Sequence, residues 1–94
     1  MNVEEVDWIE AADNYVELHV GRESHLLRET ISGLAARLDP ARFLRVRHST
    51  IVNIERVKEL RPLFRGDYLI VHREATELTT SRRYRKNLDA ILAP

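Results

Sequence analysis

Between residues 15 and 20 the chain alternates, Tyr15-Val16-Glu17-Leu18-His19-Val20, which puts Val16, Leu18 and Val20 on one face of an extended segment. A two-residue period cannot be buried by a helix, so the chain is committed to building a sheet at this point. The neighbouring residues agree. A preceding strand over 6–11 meets it across a break at Asp13-Asn14, Gly21 supplies a turn residue after Val20, and 24–29, with Leu26 and Leu27 central, reads as the return strand of a hairpin.

Beyond this antiparallel start, Thr30 can cap a short helix in which Ile31, Leu34 and Leu38 form one apolar stripe, ended by Asp39 and Pro40. Phe43-Leu44-Arg45-Val46 then alternates apolar and basic residues, which places Arg45 and Arg47 on one side of a strand. Ile51, Val52 and Ile54 form a buried run, and Val57, Leu60 and Leu63 continue with irregular spacing to Pro62 and the turn Arg65-Gly66-Asp67. Residues 68–71 and 77–80 read as strands around a turn near Glu74 and Ala75. Ser81 reads as the cap of a terminal helix lined by Tyr84, Leu88, Ile91 and Leu92. The expected class is mainly β: short antiparallel sheets with one short internal helix and a C-terminal helix.

Composition bounds the function. Ninety-four residues make a single domain over 1–94, and 44% hydrophobic with 32% charged residues is a folding composition. The absence of cysteine removes disulfide frameworks, thiol catalysis and thiolate metal sites, and fits a reducing cytoplasm. No apolar run approaches the roughly 18 to 20 residues of a membrane span, and the opening residues lack a signal-peptide pattern. A cytoplasmic protein without a membrane partner is expected. Net charge is zero, yet residues 1–40 hold three basic and nine acidic side chains while 41–94 hold twelve basic and six acidic. Such a chain can present a positive face to nucleic acid although its total charge does not suggest it.

Two clusters could form that face. Arg82, Arg83, Arg85 and Lys86 fall, on the Ser81 cap reading, in the first turns of the terminal helix, where cations oppose the helix dipole at about 0.3–1 kcal/mol each. An anion would compensate: free N–H groups and arginines suit a phosphate, and an arginine fork also fits a guanine edge. The plainer reading is a solvated charged surface. The second cluster is Arg45, Arg47, His48, Ser49 and Thr50, short polar groups of the kind that contact phosphates and base edges from a loop. Equally, Ser49 and Asn53 could bond the local backbone of a turn, leaving His48 a surface imidazole.

Catalysis has nothing to build on. His19, His25, His48 and His72 lack metal-ligand spacing, no carboxylate pair suggests acid and base roles, and there is no glycine-rich phosphate loop. No enzyme, metal, cofactor or small-molecule substrate is expected. RNA recognition by stacking is disfavoured by an aromatic content of 6%.

The whole string resembles the LytTR DNA-binding domain of bacterial response regulators. The resemblance rests on Ile9-Glu10-Ala11 with Asn14-Tyr15-Val16, on the segment running from Phe43 through Arg45, Arg47, His48, Ser49 and Val52 to Asn53, and on Ser81-Arg82-Arg83. Two departures stand out. The family's usual His-Arg pair is inverted as Arg47-His48, and its usual glycine in the last hairpin is replaced near Glu74 and Ala75. The resemblance implies a transcriptional regulator of the two-component type that binds double-stranded DNA at direct repeats, loops entering successive major grooves. It implies contacts from Asn14, Tyr15, Arg45, Arg47, His48, Ser49, Arg82 and Arg83; Arg83 and His48 are expected to read bases, and Arg85 and Lys86 of the basic cluster to hold phosphates with Arg82, Arg45 and Arg47. Phe43, Val52 and Ile54 are expected in the core and Asn53 in a structural role. It also implies a domain either excised from a longer regulator or standing alone, monomeric when free and placed head to tail as two copies on DNA. The alternative is a protein-interaction or dimerisation module with a basic face and no DNA sequence preference.

Overall fold

A computed structural model describes residues 3–63, 65–72 and 76–92 of the chain. The alternating segment is strand β2 (Tyr15–Val20), paired on one side with β1 (Trp8–Ala12) and on the other with β3 (Glu23–Leu27). Asp13 makes the first turn in the left-handed region, φ 55°, and Gly21 makes the second at φ 60°. Strands β4 (Phe43–Arg47) and β5 (Thr50–Asn53) complete a five-stranded antiparallel sheet in the order β3-β2-β1-β5-β4. A second antiparallel sheet holds β6 (Val57–Pro62), β7 (Tyr68–His72) and β8 (Glu77–Thr79).

Helix α1 (Ile31–Ala35) begins as expected, the Thr30 hydroxyl accepting the Gly33 N–H at 3.0 Å, and is shorter than its apolar stripe. Single turns after it, Arg37 N to Leu34 O and Leu38 N to Ala35 O, still carry Leu38 against the core. Helix α2 (Arg85–Leu92) begins later than the Ser81 cap predicts. Tyr84 and Arg85 both donate backbone bonds to the Ser81 carbonyl, so Arg82 and Arg83 lie in a turn ahead of the helix. The turn near Glu74 and Ala75, and the side chains of Ile91 and Leu92, lie outside the described residues.

The five-stranded sheet is covered on both faces at β5, which explains why that strand reads as a continuous apolar run: all four of its residues are buried, whereas edge strand β3 is exposed throughout. Ile9, Val16, Phe43 and Ile51 pack with Ile31 and Leu34 of α1 on one face. Val46 and Val52 pack with Ile70 of β7 and Leu88 of α2 on the other, with Trp8, Leu44 and Ile54 against them. Trp8 stacks on His19 at 3.8 Å between ring centres and lies 6.5 Å from His72 of β7. The irregular spacing of Val57 and Leu60 proves to be a strand whose register shifts between Val57 and Glu59.

Asn53 is structural. It is fully buried, its Nδ2 donates to the carbonyls of Val6 (2.8 Å) and Glu4 (3.2 Å), and its Oδ1 accepts from the N–H of Glu55.

Candidate nucleic-acid interface

Strand register decides which turns meet. Because Glu10 of β1 lies opposite Thr50 of β5, the β1–β2 turn at Asp13-Asn14 and the β4–β5 turn at His48-Ser49 leave the sheet at the same end. The N–H of Ala11 donates to the Ser49 carbonyl at 2.8 Å and fastens one turn to the other strand. Asn14, Tyr15 and His48 are exposed, and Ser49 is half-buried.

The turn ahead of α2 joins this end from the side. The N–H of Ser81 donates to the carbonyl of Val46 at 2.9 Å, and Asn87 Nδ2 of α2 donates to the carbonyl of Arg45 at 2.8 Å, so β4 carries both turns. The Arg45 guanidinium donates twice to the His48 carbonyl and once to Ser32 Oγ of α1. It also lies 5.7 Å from the centre of the Tyr84 ring, and Arg83 lies 5.6 Å from the same ring, both within cation–π reach. Arg45, His48 and Arg83 therefore converge at one end of the fold.

Arg45 and Arg47 do not share a side as simple alternation predicts. The β4–β5 register shifts between them: Arg45 pairs with Ile51 and Arg47 with Thr50, the mark of a β-bulge. Arg45 consequently reaches Ser32, whereas Arg47 Nε donates to the Thr79 carbonyl at 2.6 Å and Nη2 to the Thr79 hydroxyl, tying the large sheet to β8. Arg85 is also engaged within the fold. Its Nη1 donates to the Arg65 carbonyl at 2.9 Å, over Gly66, where φ is +86° and an added Cβ would come within 2.9 Å of that nitrogen.

The remaining cations of the cluster are different. Arg82, Arg83 and Lys86 are exposed, and among the described residues none of their side chains makes a hydrogen bond or ion pair. The start of β4 shows the opposite arrangement: Arg42 is held by Glu4 at 3.0 Å and Glu55 at 2.9 Å. Positive charge in the later part of the sequence is thus neutralised beside Arg42 and left available beside Arg83. An exposed cation without an internal acid can meet an external anion, an attraction that salt screens.

Sequence reasoning missed two participants. Tyr84 reads as one more apolar position of a helix stripe, although its arginine neighbours on both sides could have marked it as a ring between cations. Thr79 carried no signal, since only the β-bulge brings Arg47 to it. Among the described residues no group of His, Asp and Glu could hold a metal ion, and no helix is long and apolar enough to cross a membrane.

Comparison with known proteins shows the family of the chain and the kinship of its fold. Residues 1–93 match the family described as the LytTr DNA-binding domain. The chain is 30% identical over 92 residues to the sensory transduction protein LytT of Bacillus anthracis, covering 98% of this chain and 37% of that protein. It is 25% identical over 68 residues to the transcriptional regulatory protein YpdB of Escherichia coli (strain K12), covering 72% of this chain and 28% of that protein. The chain thus spans about a third of the length of the curated relatives it matches. Among solved structures, the LytTr DNA-binding domain of a putative methyl-accepting/DNA response regulator from Bacillus cereus superimposes with a TM-score of 0.90. That alignment has 18% identity and covers 100% of this chain and 86% of the other.

Proposed function

The chain belongs to the LytTr DNA-binding domain family, and from that premise we propose that it reads double-stranded DNA for a bacterial transcriptional regulator through the turns at one end of its larger sheet. The family is one of DNA binding and not of catalysis. The observation that carries the reading is the run of contacts from the His48 carbonyl through Arg45 and the Tyr84 ring to Arg83, beside Arg82 and Lys86, whose side chains are exposed and unpaired among the described residues.

Roles follow from which donors are free. Arg83 forks onto a guanine, and His48, with Ser49 beside it and Asn14 and Tyr15 on the adjacent turn, makes the second groove contact. Arg82 and Lys86 hold phosphates and set register without reading sequence. Arg45, Arg47 and Arg85 shape the loops, because their guanidinium groups are already hydrogen-bonded inside the protein. The target is a direct repeat whose successive major grooves take two copies head to tail, and the free domain is monomeric, since a head-to-tail contact needs no self-complementary surface. A symmetric dimer in light scattering overturns that last point.

Mobility-shift titration at about 150 mM salt against a random duplex library tests the whole reading, with a preference of at least about 10³ over nonspecific duplex expected. Arg83→Ala costs about 1–3 kcal/mol and relaxes discrimination at one base pair. An equal loss on every sequence removes Arg83 as a base reader. No preference at all leaves instead a module whose basic face meets an acidic protein.

A further inference from the structure

We infer that Tyr84 is a positioning residue, a ring platform that holds the Arg83 guanidinium and, through Arg45, sets it relative to the His48 turn. The inference rests on the DNA-reading function proposed above and adds to it the device that keeps two contact loops in register.

The chain of contacts is short. The His48 carbonyl accepts two bonds from Arg45; Arg45 lies 5.7 Å from the Tyr84 ring centre; Arg83 lies 5.6 Å from it. No other described contact restrains the Arg83 side chain, which is exposed. A guanidinium on a flexible stem samples many rotamers, and every one lost on binding weakens affinity, so a ring that pre-selects one arrangement strengthens it. The backbones of the two loops do not depend on Tyr84. They are fixed by the Ser81 N–H on the Val46 carbonyl and by Asn87 on the Arg45 carbonyl, so removing the ring frees side chains without unseating the turns.

The Tyr84 hydroxyl makes no hydrogen bond among the described residues. The platform therefore needs the ring and not the oxygen, which sets the test. Tyr84→Phe is expected to bind a duplex selected by the native domain within about twofold of native. Tyr84→Leu is expected to lose about three- to tenfold, the cost of ordering one freed arginine on binding, with no change in salt dependence. Combining Tyr84→Leu with Arg83→Ala gives less than the product of the single losses, while combining it with Arg82→Ala gives the full product. In the DNA-free domain, NMR shows the Arg83 Nε and Hδ resonances shifted by the ring in the native protein and in Tyr84→Phe, and released in Tyr84→Leu, with thermal melts confirming that all three are folded.

Native binding by Tyr84→Leu, or equal losses for Tyr84→Phe and Tyr84→Leu, overturns the platform. Absence of the ring shift in the DNA-free native domain overturns it independently of any binding data. A native domain with the ring shift but no sequence preference instead defeats the DNA-reading function and, with it, the purpose assigned to the ring.

Discussion

Asn53 has a partner for both polar ends of its side chain, at the point where the chain's beginning crosses the end of β5. Asn53→Ala removes all of these and leaves the carbonyl of Val6 without this donor, so about 2–3 kcal/mol of stability is expected to go, read as a lower urea midpoint at unchanged slope. His72 is buried to 1% exposure, and loss of hydration pushes its pKa below the ordinary value of 6.5; Asp7 opposes the shift and His19 adds to it. The unfolded chain then binds the proton more readily than the folded one. Stability is complete above about pH 6.5 and falls as the pH drops through that value towards the lowered folded one. Urea titrations at about pH 7.5 and about pH 5.5 should show the decline, and His72→Leu should flatten it. Asn53 was readable as structural from the sequence. The state of His72 was not, because nothing local says that β7 lies against Trp8.

At the scale of elements, legibility depended on whether one strand's pattern could be read without its neighbour. β2, packed on one face, announced itself by alternation, and the Thr30 cap located α1. β6 was legible only as apolar spacing, since a register shift breaks the period that identifies a strand. The β4 bulge had a larger effect, sending Arg45 and Arg47, both expected on one side, to different partners within the fold. The later start of α2 likewise separates Arg82 and Arg83, in the preceding turn, from Arg85 and Lys86. Neighbours in sequence now carry different expectations. Lys86→Ala should flatten the plot of log affinity against log salt by about 0.9, while Arg85→Ala, whose guanidinium is held on Arg65, should leave that slope unchanged. Equal slopes for both variants would return Arg85 to the phosphate contacts.

Across the whole molecule, α1 on one side and the three-stranded sheet with α2 on the other pack against the five-stranded sheet, and Arg47 makes one of the bonds that close these layers. Arg47→Ala should cost about 1 kcal/mol, with faster amide exchange in β8 than in β1 or β5. Uniform exchange across both sheets would mean that Arg47 does not join them. The mainly β class and the candidate clusters were visible in the sequence, as was the separation of charge along it; which cations remain available was not, because Arg42 is drawn to Glu4, far off in the sequence, as well as to Glu55. The β1–β2 and β4–β5 turns emerge from strands whose middles form the core, so their tips bear little of the fold's weight. On the proposed reading, a lineage rewrites Asn14, His48 or Ser49 and moves to a new operator while inheriting the same scaffold, and libraries varied at those positions should yield stable proteins with divergent targets.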